Sequence, residues 1–219
     1  KVDSERLNDI KNHTFDLLLL ARLLKESIEY PLDFNKIEDY IYVHDLPEAI
    51  TGDITAFEGI EKEKRQAVTK TAIDYLEKTF GNMLHIKESL QNYDIESKFV
   101  HMIDKSHSAI EFIQHDSEKR IDINNKDIIP ALSELPLIKE AKRQGQSVSD
   151  IFYHFHRKAI VITDQECQKY HLSREDAEKI TKPILTFIDT FYEQMKSDVL
   201  KNNIEDFPSS ATIYAKRNL

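Results

Sequence analysis

No tryptophan, one cysteine, four glycines and six prolines occur in the 219 residues of this chain. Each scarcity excludes something. A single cysteine, Cys167, permits no intrachain disulfide, which fits a reducing compartment, and it reads as a bystander on a helix. So few glycines and prolines leave too few turns for an all-β chain and favour long helices. Positive charge is short as well: 30 Lys and Arg against 39 Asp and Glu give a net charge of -9. Bulk electrostatics therefore exclude a nucleic-acid polymer as partner. Any phosphate must be held locally, by a cation or a few well-placed Lys and Arg. Long apolar runs are missing too. The most apolar stretch, "LLLLARLL" from Leu17 to Leu24, is far shorter than the roughly 20 residues that a membrane span needs. The first residues carry charges of both signs without a signal-like core. The expectation is a cytoplasmic protein that uses neither membrane nor nucleic acid.

What is present is a globular composition, 40% hydrophobic and 32% charged, long enough for one well-buried domain or one domain with an extension. Helical periodicity dominates and predicts an all-α fold. The pattern places helices at about Ser4 to Glu29, Asn35 to His44 and Pro47 to Thr51, the last stopped by Gly52. Further helices are expected at about Ile60 to Phe80, ending at Gly81, and at Ile95 to Gln114. After "RIDINNKD" the texture changes, and Pro130 and Pro136 interrupt "IIPALSELPLIKEAKRQG". Two more helices follow, about Val148 to Tyr170 and Ser173 to Asn202. The second opens on the capping box "SRED" and carries Pro183, which predicts a kink. Residues 1–120 read as a main bundle and 121–219 as a helical extension packed on it.

Several ionisable residues fall on apolar stripes. The first helix reads Ile10, His13, Leu17, Leu20, Leu24, Ile28 in steps of three and four, so His13 points into the core. The second reads Ile37, Ile41, His44, and then Glu48 if the turn continues. The fifth reads Val100, Ile103, His107, Ile110, with Asp104 beside Ile103. A buried imidazole or carboxylate costs several kcal/mol unless something pairs with it. Each can find its own hydrogen bond. One shared solution is a divalent cation held by two imidazoles and two carboxylates. His44 and Asp45 converge on one ion if it lies near a helix end, and Pro47 supports such an end. Mixed nitrogen and oxygen ligation suits Mn, Fe, Co, Ni or Zn. The stretch is not an HExxH zinc motif, since position 48 is Glu.

The ordered set His13, His44-Asp45 and Asp104 resembles the HD-domain phosphohydrolase superfamily, whose pattern is a His, then a His-Asp pair, then a distant Asp on successive helices. "HDLPEAITGDI", "NHTFDLLLLARLL" and "MIDKSHSAIEFI" are similar to the bacterial 5′-deoxynucleotidase (YfbR-like) branch of it, over roughly residues 8–116. The resemblance implies an HD-domain helical bundle in which His13, His44, Asp45 and Asp104 ligate one divalent transition metal. It implies further that Glu48 helps to activate the attacking water and that Asp53 contacts the sugar hydroxyl, two catalytic positions in "HDLPEAITGDI". The implied substrate is a deoxynucleoside 5′-monophosphate, and members of the family often form homodimers. Two departures stand out. Asn12 replaces the usual Glu before the first His. The Arg-Trp pair by which that branch reads its substrate, well upstream of the first His, is not found in the twelve residues before His13, and no Trp occurs; either the start lies further upstream or the pocket is different.

A carboxylate one turn after the metal His can take a proton from water, and Glu48 stands four residues after His44. Gly52 can turn the chain so that Asp53 faces the pocket; the other reading of Asp53 is a turn residue satisfying local amides. Lys105 can meet a phosphate oxygen of the substrate, or form an ordinary salt bridge. His107 reads as core packing, His154 and His156 as structural or peripheral, and Tyr75, Phe80 and Phe99 as core. The leading function is a metal-dependent phosphohydrolase of (deoxy)nucleoside 5′-monophosphates. The alternatives are a hydrolase of nucleoside polyphosphates or signalling nucleotides, which would need more pocket Lys and Arg, and a non-catalytic nucleotide-binding module.

Overall fold

The computed structural model describes residues 4–51, 62–81, 86–90, 93–117, 143–144 and 148–200. They are helical, with no strand among the described residues. The helices are α1 (Ser4–Lys25), α2 (Phe34–Val43), α3 (Glu48–Thr51), α4 (Lys62–Phe80), α5 (Ile86–Leu90), α6 (Ile95–Ser117), α7 (Val148–Ile160), α8 (Asp164–Lys169) and α9 (Arg174–Leu200). The chain divides into two compact units. The first is Lys1–Ile103 with Gln168–His171, and the second is Asp104–Cys167 with Leu172–Leu219.

Local chemistry sets the helix ends. Asp33 caps α2, its carboxylate accepting from the N–H groups of Asn35 and Lys36 at 3.1 and 3.2 Å. Asp94 caps α6 by accepting from the Ser97 N–H at 2.9 Å. Gly81 follows α4 at φ 69, the left-handed conformation that lets a helix stop without a side-chain clash. Ser173 caps α9, accepting from the Asp176 N–H at 3.0 Å, as the "SRED" box predicts, and α9 continues through Pro183.

In the first unit α1 packs on α2 and α3, α2 on α5, and α4 on both α3 and α5. Leu17, Leu20, Ile37, Ile41 and Ile103 of the predicted stripes are fully buried, and so is Phe99 beside them. A smaller cluster of Val43, Ile73 and Leu76, with Leu46 against it, fixes the end of α2 to α4. In the second unit α7 packs on α9. The rings of Tyr153 and Tyr192 stack there at 3.8 Å, and Arg157 grips Asp189 with two 3.0 Å hydrogen bonds.

Four expectations need correcting. The first helix ends at Lys25, not near Glu29, because the N–H groups of Ser27 and Ile28 turn back to carbonyls three residues earlier. The helix expected from Val148 to Tyr170 is two, α7 and α8, broken at Val161–Thr163. The cause is a capping box at Thr163-x-x-Glu166. The Glu166 N–H donates to Thr163 Oγ1 at 3.2 Å, and the Thr163 N–H donates to Glu166 Oε2 at 2.8 Å. The end of α8 is closed by His171 at φ 56, with the Leu172 N–H on the Cys167 carbonyl at 2.9 Å. Tyr75 and Phe80, expected in the core, are 59% and 52% exposed, because α4 turns Ala72, Ile73 and Leu76 inward instead. Phe99, expected with them, is buried. The expected start of α4 at Ile60, the stop at Gly52, the proline-rich stretch with Pro130 and Pro136, and the last turn to Asn202 lie outside the described residues.

Candidate metal centre

Three elements of the first unit bring the site together. His13 lies in the first half of α1 on its amphipathic stripe, one turn before Leu17. His44 is the C-cap of α2, and its N–H still donates to the Tyr40 carbonyl at 3.0 Å. Asp45 follows in the turn that Pro47 and Leu46 carry to α3. His44 keeps helical dihedrals as the cap, the chain runs on as a turn in which the Leu46 N–H donates to the Val43 carbonyl at 3.2 Å, and the two adjacent side chains meet at this helix end. Orphan carbonyls at a helix C-terminus also favour a cation there.

The three ligand atoms face one another. His44 Nε2 lies 3.1 Å from Asp45 Oδ2 and 3.4 Å from His13 Nε2, and His13 Nε2 lies 3.4 Å from Asp45 Oδ2. The imidazoles are tilted at 42° with centroids 5.4 Å apart. Side-chain exposure is 9% for His44, 20% for His13 and 18% for Asp45. Two donors on one ion at about 2.0–2.2 Å, in tetrahedral or octahedral array, stand about 2.8–3.6 Å apart. All three separations fall in that window. Without a cation or a proton between them, two imidazole lone pairs and a carboxylate would oppose one another in a largely dry place.

The second ring nitrogen of His44 decides its tautomer. His44 Nδ1 lies 2.7 Å from the Ile41 carbonyl oxygen. A carbonyl can only accept, so Nδ1 carries the proton and Nε2 presents its lone pair to the site. This is the outer-shell arrangement that orients metal-binding histidines. The donor set of two nitrogens and one oxygen fits a divalent transition ion.

The remaining sequence-predicted residues have different standing. Among the described residues, the group whose ligand atoms lie close enough to share an ion is His13, His44 and Asp45. Asp104 opens the second unit on α6, and its Oδ2 accepts from Lys105 Nζ at 2.8 Å, so the salt bridge considered for Lys105 is formed. Glu48 is the first residue of α3, half-buried, with its N–H on the Asp45 carbonyl at 3.0 Å. Asp53 lies outside the described residues. His107 is fully buried, with Nδ1 3.7 Å from Glu111 Oε2 one turn on. His156 is buried and His154 exposed on α7.

Sequence reasoning missed two buried charges of the first unit, Asp16 and Lys98. Asp16 had a signal, since His13, Asp16 and Leu20 follow the same three-and-four spacing as the stripe. It also missed a polar clamp on α2. Tyr40 donates to Asp94 Oδ2 at 3.0 Å, Lys36 Nζ lies 2.5 Å from the same oxygen, and Ser89 Oγ donates to the Tyr40 carbonyl at 3.3 Å.

The helical architecture and the group His13, His44 and Asp45, whose ligand atoms lie close enough to share an ion, define a helical protein with a candidate metal centre. A family model described as "HD domain" matches residues 2–133, and the chain belongs to that family. HD domains are in general metal-dependent phosphohydrolases. No curated protein and no solved structure matches the chain. No helix of the described residues is long and apolar enough to cross a membrane.

Proposed function

We propose that this HD domain is a metal-dependent phosphohydrolase that removes phosphate from (deoxy)nucleoside 5′-monophosphates. The observation that carries the metal half is the 3.1–3.4 Å spacing of His13 Nε2, His44 Nε2 and Asp45 Oδ2. Asp104 enters as the fourth ligand on the sequence pattern. What supports the nucleotide half is the run His44-Asp45-x-x-Glu48 with Asp53 five residues on.

When bound, one divalent transition ion (Mn, Co, Fe, Ni or Zn) neutralises phosphate charge and makes water a better nucleophile near neutral pH. The chain's own residues do the rest. Ile41 holds the His44 ring through Nδ1–H, so that its lone pair stays in the site. Glu48, on the helix that follows Asp45, takes the proton from the attacking water. Asp53 accepts from the sugar hydroxyl. Lys105, beside Asp104, offers its ammonium to a phosphate oxygen.

The test is metal analysis of the purified protein, then phosphate release from nucleoside mono- and polyphosphates with Mn, Co, Fe and Mg. Monophosphates should be the better substrates. Asp45→Ala should lose the metal and the activity together. Full metal occupancy in that variant would remove the ligand assignment. A clear preference for polyphosphates would remove the substrate assignment and leave the metal site intact.

A further inference from the structure

The metal-facing end of α2 depends on how the rest of that helix is held. His44 and Asp45 leave its last turn, and Tyr40 is one turn earlier, with its carbonyl taking the His44 N–H at 3.0 Å. A rotation or slide of α2 therefore moves His44 Nε2 relative to His13 Nε2 on α1. Separations of 3.1–3.4 Å leave little room for that. Apolar packing by Ile37 and Ile41 fixes the face of α2, but apolar contacts are non-directional and tolerate small slips. A hydrogen bond does not, because it weakens steeply with angle.

Directional contacts converge on one edge of α2. The Tyr40 side chain is almost wholly buried, and its hydroxyl donates to Asp94 Oδ2 at 3.0 Å. Lys36, one turn before Tyr40, reaches the same oxygen at 2.5 Å. Asp94 cannot follow α2 if it moves. Its other oxygen caps α6 through the Ser97 N–H at 2.9 Å, and its own N–H donates to Ser97 Oγ at 3.1 Å. The start of α2 is tied to the same place, with the Asp33 N–H on Glu96 Oε1 at 3.2 Å. Ser89 of α5 holds the Tyr40 carbonyl from another side. None of these side chains is a ligand of the candidate metal centre.

We propose that Tyr40 and Asp94 are positioning residues for the metal centre: their hydrogen bond sets the register of α2 against α6 and so holds His44 Nε2 and Asp45 Oδ2 at ligand distance from His13. The inference rests on the metal half of the proposed function. It predicts that loosening the clamp changes metal binding without removing a ligand.

The experiment uses the full chain and Co(II) as the probe, because its absorption reports coordination geometry. Binding is first measured on the wild type. Tyr40→Phe keeps the buried ring and removes only the hydroxyl. It should weaken Co(II) affinity about tenfold, the low end for groups that support metal ligands, and should alter the Co(II) spectrum. Tyr153→Phe is the matched control. It removes a similar phenol–carboxylate bond, 2.6 Å to Asp189, in the second unit. It should lower the melting temperature and leave Co(II) affinity and spectrum unchanged. Asp94→Asn, which weakens both arms of the clamp, should reproduce the Tyr40→Phe spectrum. If the wild type binds no Co(II), the metal reading falls and this inference falls with it. If the wild type binds Co(II) and Tyr40→Phe binds it equally with the same spectrum, only the positioning role is overturned. A Tyr153→Phe variant that loses Co(II) to the same extent as Tyr40→Phe would also overturn it, by reducing the effect to general destabilisation.

Discussion

At the scale of single residues, the site is a matter of which nitrogen carries a proton and which oxygen faces it. His44 is held in one tautomer by a backbone carbonyl, a partner that no side-chain substitution removes. Glu48 is separate from this ligand cluster and is expected to act on water. Glu48→Gln keeps the shape and removes the base. In a phosphate-release assay kcat should fall about 10²- to 10⁴-fold, the usual worth of a positioned general base. Metal content and KM should stay near wild type, which places the loss in the chemical step. Near wild-type turnover with metal bound would take Glu48 out of the mechanism.

At the scale of elements, helix ends carry the information. Thr163 and Glu166 satisfy each other's backbone N–H groups and start a new helix inside what periodicity reads as one. The run "IVIT" before it is β-branched throughout and weakens helical continuity, so the break has a cause on both sides. Thr163→Ala should destabilise the protein by about 1 kcal/mol, the typical worth of an N-cap side chain. Thermal melting checks it, and an unchanged melting temperature would show that the cap contributes nothing. Pro183, which predicts a kink, sits within a helix that continues to Leu200.

At the scale of the whole molecule, each unit has among its described residues a carboxylate bound by a cation and a phenol, Asp94 in the first and Asp189 in the second. Burial opposes ionisation of Asp94, yet its bonds from Lys36, Ser97 and Tyr40 outweigh that and hold it below the ordinary 3.8. Burial likewise opposes ionisation of Asp189, and Arg157 and Tyr153 hold it down. Burial, with the nearby carboxylates adding, pushes Tyr40 and Tyr153 up to about 12 from 10.0. A depressed aspartate contributes stability above its unfolded pKa and loses it as pH falls through the folded value. A raised tyrosine contributes below its unfolded pKa and loses it as pH rises through the folded value. The melting temperature should therefore hold between about pH 5 and 9, falling below about pH 4 and again above about pH 10. Asp94→Asn should be less stable at neutral pH and lose less on acidification. An acid limb of unchanged steepness in that variant would show that Asp94 is not among the groups that set it.

The sequence by itself determined the helical class, the stripes of α1, α2 and α6, and the burial of His44 and His107; His13, on the α1 stripe, is only partly buried. These depend on spacing along one helix, where three or four residues always return to the same face. It also held the break at Thr163, in a capping box that periodicity alone passes over. Tertiary structure alone decided three things. The distance and angle at which His13 meets His44, a meeting that the resemblance already implies, depend on how α1 crosses α2, and no local rule sets that across 31 residues. The clamp between Tyr40 and Asp94 joins groups 54 residues apart. Tyr75 and Phe80 look like core by type, but burial depends on whether a neighbouring helix covers the face they occupy. Residue type sets the gain from burial, and only packing decides which faces are covered.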